Sequence, residues 1–255
     1  MRALVLIAAV LATGLTLAEP PDLKTLTECS DRAWEQDIAS WADYAFDRHV
    51  TRRSLDKNDK VTSTQKMRFR VTPSAEGFDE VLVEIDGRKP TDKEVKEHRE
   101  KARFTKHYGQ AEKLELENPL GENLALMPIL QDQEYRIVGE EEVNGIPCIR
   151  AVFDAKPEVS GKGVREQLAS AIEGSACFSV DGCHLVFYEM ETVRQPKELP
   201  VTVKNLRLKF EGEPVEHDGW LLGKVELQSH VSVMGKDLRK FNSYGYSDIK
   251  YRPAR

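Results

Sequence analysis

The C-terminal half of the chain is a near-unbroken succession of period-two segments, and this constrains the fold more than any other feature. Candidate strands run over 135–142, 146–154, 176–180, 184–193, 201–210, 220–227, 230–234 and 238–251. Leu206, Leu208 and Phe210 alternate with Asn205, Arg207 and Lys209, and Leu221, Val225 and Leu227 repeat the pattern in the next segment. Such alternation makes one face apolar and the other wet, the signature of antiparallel strands. Asn144-Gly145, Asp181-Gly182 and Asp218-Gly219 supply hairpin turns between them. Three earlier segments, 44–55, 61–71 and 78–85, show the same period, the first two joined by the turn-forming run Asp56-Lys57-Asn58-Asp59-Lys60. A meander of about ten strands curls through its own twist. Its apolar face is too large to leave in water. The predicted fold is therefore α+β: a wide, curved antiparallel sheet, or half-barrel, covered by helices on its concave face.

The cover is sought in two places. Leu23, Leu26, Ala33, Trp34, Ile38, Trp41 and Ala42 fall near helical spacing, which predicts helix over 21–42 with the tryptophans as core anchors. A second apolar stretch, 116–133, holds Leu120, Leu124, Leu126, Ile129 and Leu130 and reads as a buried helix or a mobile cover. A short helix is also expected over 164–172. Thr91-Asp92-Lys93-Glu94 is a capping-box pattern, and a highly charged helical insert follows near 91–108, its mixed signs marking a solvated face. His98 and His107 in that insert read as surface residues.

The first eighteen residues predict the compartment. Met1-Arg2, an apolar run and the small-x-small site Thr16-Leu17-Ala18 make an export signal cleaved after Ala18. Cleavage removes Arg2 alone among charged residues and takes the formal charge from −6 to −7. Residues 19–255 then form one domain, expected to be soluble, exported and monomeric. The absence of a basic excess (37 Lys and Arg against 43 Asp and Glu) argues against nucleic acid as a partner. Four cysteines, Cys29, Cys148, Cys177 and Cys183, suit an oxidising compartment and allow three pairings. A bridge between Cys177 and Cys183 requires a longer or bulged turn at Asp181-Gly182; a bridge from Cys148 stands beside it as an alternative. Their spacing does not suit a metal, and no cofactor is expected.

The segments 135–139, 144–153 and 174–188, with Val203-Lys204-Asn205-Leu206-Arg207, Gly219-Trp220-Leu221-Leu222 and the ending Tyr244-Gly245-Tyr246-Ser247-Asp248-Ile249-Lys250-Tyr251, carry a likeness. In them the chain resembles the LolA/LolB-like periplasmic lipoprotein-carrier superfamily, closely over about 130–253 and in outline before that. The insert at 87–115 and the four cysteines are not part of that family's pattern. The resemblance implies a periplasmic, non-enzymatic carrier with an apolar cavity between sheet and helices, sheltering the acyl chains of a lipid or lipoprotein. It equally implies a second role, a module that docks another envelope protein. Ligand-cavity candidates are Trp34, Ile38, Trp41, Leu126, Ile129, Leu206, Leu208, Phe210, Leu221 and Val225. A solidly packed core would produce the same alternation.

Catalytic motifs are missing from the sequence: no Gly-x-Ser-x-Gly elbow, His-Glu-x-x-His, P-loop or dinucleotide fingerprint occurs. The carboxylates Glu140-Glu141-Glu142, Glu189 and Glu191 have the spacing of ordinary surface acids. No catalytic residue is assigned, and His184 and His230 read as structural or exposed.

Overall fold

The computed structural model describes residues 22–74, 77–104, 115–117, 123–125, 133–157, 164–195, 197–198 and 201–252. The segment expected to be an export signal lies outside them. Helix α1 (Leu23–Trp41) begins at Asp22, whose carboxylate accepts from the Thr25 amide (3.0 Å) and hydroxyl (2.9 Å), and it runs unbroken through Thr25–Ser30. Three strands follow: β1 (Tyr44–Leu55), β2 (Val61–Ser74) and β3 (Gly77–Ile85). In α2 (Asp92–Phe104) the capping box is closed both ways, Thr91 N–H donating to Glu94 at 2.8 Å and Glu94 N–H to Thr91 Oγ1 at 3.3 Å. Arg88 also grips Glu94, and together these contacts pull its carboxyl down to about 2. A small hairpin, β4 (Glu115–Glu117) with β5 (Asn123–Ala125), occupies the described part of the second apolar stretch; Leu126, Ile129 and His107 lie outside the described residues. The meander then proceeds through β6 (Tyr135–Val143), β7 (Ile146–Phe153), α3 (Val164–Ala171), β8 (Ile172–Ser179), β9 (Leu185–Thr192), β10 (Lys197–Glu198), β11 (Val201–Val215), β12 (Gly219–Val233) and β13 (Lys236–Tyr251).

All but β4 and β5 belong to one open antiparallel sheet of eleven strands. Its order is β3-β2-β1-β13-β12-β11-β9-β8-β7-β6, with β10 paired to β11. The sheet is curved, and α1 lies on its inner face, touching both β12 and the distant edge strand β6. Residues 220–227 and 230–234, expected as two strands, are one, and β8 starts at Ile172, directly after α3. Asn144 (φ 54°) and Gly145 (φ 81°) make the expected tight turn. Asp218-Gly219 does not: His217 and Asp218 take the left-handed conformations (φ 62° and 57°), and Gly219 already pairs with Val215 inside the strand. Glycine is required there because the Tyr44 hydroxyl occupies the place of a Cβ. At Asp181-Gly182 the turn is also longer than two residues, with Cys183 itself at φ 57°.

The inner face carries two buried clusters. The larger joins Phe153, Ile172, Tyr188, Met190, Leu208 and Phe210 to Leu168 and Ala169 of α3. The smaller joins Val50, Met67, Phe69, Leu82 and Ile85 under α2. His98 contributes to its cover: rather than facing water, the ring meets Phe69 edge-on at 5.6 Å. A third cluster gathers around Cys148, Cys177, Val186 and Trp220, while over β1–β3 the outer face is a lattice of paired charges. Asp47, only 4% exposed, accepts from Arg68 (2.7 Å) and Arg70 (3.1 Å), and Arg68 also holds Glu84 at 3.0 Å.

Burial alone would raise the Asp47 pKa, but the hydrogen bonds from Arg70 and Arg68 outweigh it and hold the carboxyl below its ordinary 3.8. Its contribution to stability is therefore complete above pH 3.8 and is lost as the pH falls through the lowered value. Asp47→Ala should cost about 1–3 kcal/mol at neutral pH. Urea unfolding from pH 7 down to pH about 2 should show the difference between wild type and Asp47→Asn shrinking across that window.

Candidate functional site: the apolar inner face and its clamped helix

Period-two geometry puts Phe46, Arg48 and Val50 of β1 on the inner face, in register with Tyr246 and Tyr244 of β13. Tyr244 in turn pairs with Val225 of β12, and Val225 with Phe210 of β11. These residues form a seam between the two buried clusters, Tyr244 packing on the smaller and Tyr246 and Val225 on the larger. The seam is half-buried rather than sealed. Phe46 and Tyr246 meet edge-to-face at 5.4 Å. Beside them Arg48 is ion-paired to Glu80 and lies 4.7 Å above the Phe69 ring. An apolar seam with one compensated guanidinium suits contact with a hydrocarbon chain.

On the other side of the seam stands α1, fastened to the sheet at three points. Cys29 is disulfide-bonded to Cys183 in the β8–β9 turn. One end of Asp37 contacts His184 Nδ1, both carboxylate oxygens lying at 3.0 Å. The Trp41 indole N–H donates to the Trp220 carbonyl at 2.8 Å. The His184 ring stacks flat on Trp220 (4.8 Å, 8°), and Trp220 donates to the Leu185 carbonyl at 3.0 Å. Trp220 fits because Gly212 has no side chain; a Cβ there would stand 2.5 Å from its Nε1. Burial raises the Asp37 pKa, and the hydrogen bond and charge of His184 oppose that rise. The helix expected over 21–42 is thus clamped to the sheet. His184 and Asp37 have the mutual arrangement of a base and its orienter, and their contact joins α1 to the β8–β9 turn.

Of the cavity candidates, Trp34, Trp41, Leu206, Leu208, Phe210 and Val225 come together in and around the larger cluster. Leu221 is buried, but a bulge at Gly223 sets it opposite Glu213. The side chain of Ile38 lies outside the described residues. Trp34 and Trp41 meet edge-to-face at 6.4 Å, and the buried Trp34 indole N–H has no acceptor among the described residues. An unmatched buried donor costs about 1–3 kcal/mol, and a carbonyl of a guest would relieve it. Tyr135 and Tyr188 close the far side. Burial raises both phenols, and each lies close enough to perturb the other. Phe46, Arg48, Tyr244 and Tyr246 were not singled out from the sequence; the alternations Phe46-x-Arg48-x-Val50 and Tyr244-x-Tyr246 are the signal that marks their face.

The second disulfide joins Cys148 to Cys177 across β7 and β8, on the face opposite the larger cluster. The turn therefore does not close a Cys177–Cys183 bridge: Cys177 faces outward toward Cys148, while Cys183 reaches α1. Glu141, Cys148 and Cys177 are the one metal-like cluster among the described residues, and the disulfide removes both thiolates from it. No helix among the described residues is long and apolar enough to cross a membrane.

Cys148 and Cys177 are fully buried, whereas Cys29 and Cys183 are partly exposed. Under graded reductant and thiol alkylation, mass spectrometry should find Cys29 and Cys183 labelled first, with Cys148 and Cys177 protected until the sheet unfolds.

No protein-family model and no curated protein matches the chain. Solved structures with a similar fold include a DUF1329 family protein from Desulfovibrio piger, 12% identical with a TM-score of 0.37, over 89% of this chain and 92% of that one. A putative outer membrane lipoprotein-sorting protein domain from Vibrio parahaemolyticus is 11% identical with a TM-score of 0.37, over 88% and 91%. The MucA/MucB complex of Pseudomonas aeruginosa matches at 11% identity and a TM-score of 0.26, over 89% and 100%.

Proposed function

We propose that this chain is an exported, non-enzymatic binding protein that shelters an acyl chain of a lipid or lipoprotein against the inner face of its sheet. The observation that carries the reading is the half-buried seam of Phe46, Tyr244, Tyr246 and Val225 between two apolar clusters. Partly buried aromatic side chains gathered between two apolar clusters support an apolar binding face. Each methylene moved from water onto such a face gains about 0.8 kcal/mol, so a chain of a dozen carbons supplies ample driving force. The buried Trp34 N–H supports the reading, since it offers a donor to an ester or amide carbonyl at the head of that chain. The two disulfides fit the oxidising compartment that an export signal implies.

All three tryptophans of the chain, Trp34, Trp41 and Trp220, lie in or beside the α1–sheet contact. A brominated fatty acid should therefore quench their fluorescence on binding, and native mass spectrometry of the freshly purified protein should show retained lipid. Removing two rings of the seam (Phe46→Ala with Tyr246→Ala) should weaken binding about tenfold or more. A clean protein mass together with no quenching would overturn the carrier reading. Cross-linking to a single envelope protein in that event would establish the docking role instead.

A further inference from the structure

One end of the sheet has an electrostatic character opposite to that of the whole chain. The β1–β2 and β12–β13 turns lie side by side there, because β1 pairs with β13 from Tyr44↔Tyr251 up to Ser54↔Lys240. Arg239 and Asp59 clip the two turns together at 2.7 Å, across 180 residues of sequence. The joined tips expose Arg52, Lys57, Lys60, Lys236 and Lys240, none of which pairs with a carboxylate among the described residues. The acids of the same tips are engaged: Asp59 by Arg239, Asp237 by Lys204 at 2.8 Å, and Asp56 by the backbone amides of Asn58 and Lys60. At the apex, Met234 (φ 50°) and Gly235 (φ 80°) form a tight turn that leaves Met234 84% exposed.

The opposite end carries more acids than bases. Asp181, Glu213, Glu216 and Asp218 are exposed at the β8–β9 and β11–β12 turns, against Lys250 and Arg252 at the end of β13. Strands as long as β13, with 16 residues, separate the ends by about 50 Å, several times the roughly 8 Å over which charges are felt at physiological salt. The basic tip therefore acts as a positive surface despite the net charge of −6, and the acidic end orients it.

We infer that the joined β1–β2 and β12–β13 tips are a docking surface for an anionic lipid membrane, their lysines meeting the headgroups and Met234 inserting between them. Exposed cations around a single flexible apolar side chain match that occupant, because the cations find phosphates at any lateral spacing and methionine adapts to an irregular apolar surface. This surface lies apart from the seam, so it does not depend on the ligand reading.

The test is co-sedimentation of the full chain with phosphatidylglycerol vesicles and with phosphatidylcholine vesicles, at low and at 0.5 M salt. Binding should require the anionic lipid and fall steeply with salt. The combined variant Lys57→Glu, Lys60→Glu, Lys236→Glu, Lys240→Glu should bind at least about tenfold more weakly, and Met234→Asp should weaken binding further. A variant reversed at the other end, Glu216→Lys with Asp218→Lys, should lose nothing. Circular dichroism and the midpoint of urea unfolding, compared with wild type, check that each variant is folded. No binding to anionic vesicles, equal binding to neutral ones, or binding unchanged by the tip reversal would each overturn the inference, whatever the outcome at the seam.

Discussion

The pairing of β1 with β13 holds the two halves of the structure together. Without it the chain would be a three-stranded sheet under α2 and a separate C-terminal meander, each with a raw edge. The pairing brings together residues some two hundred positions apart, yet that separation is not the obstacle it looks. Loop-closure entropy grows only with the logarithm of length, about 0.6 kcal/mol for each doubling, and a ladder from Tyr44 to Ser54 exceeds it many times over. The same ladder fuses the two buried clusters into one inner face and generates the aromatic seam where they meet. It also lays the β1–β2 and β12–β13 turns against each other. Register carries this through: a slip of one residue would send Phe46, Arg48 and Val50 to the outer face and Asp47 into the apolar layer.

The clamp on α1 determines how the inner face can be reached. A helix held only by apolar contacts could slide or lift at modest cost. This one is fixed by a disulfide near its start, an Asp–His contact in its second half and an indole–carbonyl bond at its last residue. The Asp37 carboxylate is unfavourably placed by burial alone, as its raised pKa shows, and only His184 compensates it. That cost is a mark of positional constraint: a hydrophobic residue at 37 would pack there but would remove one of the three points that fix α1. Among the described residues, α1 covers the part of the apolar layer that lies against β12 and β6. Toward β1 and β13, Phe46, Tyr244 and Tyr246 are partly buried.

Much of this was legible in the sequence, and the failures have physical causes. Period-two alternation located the strands within a few residues because one face of each is buried and the other wet. The break expected after Leu227 is absent because Gln228, Ser229 and His230 are polar residues inside one continuous strand, where pairing with β11 and β13 overrides composition. Asn144-Gly145 formed its turn because both residues tolerate positive φ. Asp218-Gly219 did not, because Tyr44, far away in sequence, needed the space over Gly219. His98 looked like one polar residue among many on a charged helix, and only the position of Phe69 below it turns its ring inward.

The disulfides and the seam were the least legible features, and for the same reason. Alternation tells which face a residue occupies but not which neighbouring element arrives to cover it. Cys177 and Cys183 sit six positions apart, yet the left-handed residue at Cys183 turns its side chain toward α1, while the register of β8 turns Cys177 to the outer face. Likewise Leu206, Leu208 and Phe210 could be assigned to the inner face from their period alone, whereas the meeting of Phe46 with Tyr246 depends on the pairing of β1 with β13. Contacts between elements two hundred positions apart are a property of tertiary structure. They become readable only once the long-range pairs, Cys29 with Cys183 and β1 with β13, are known.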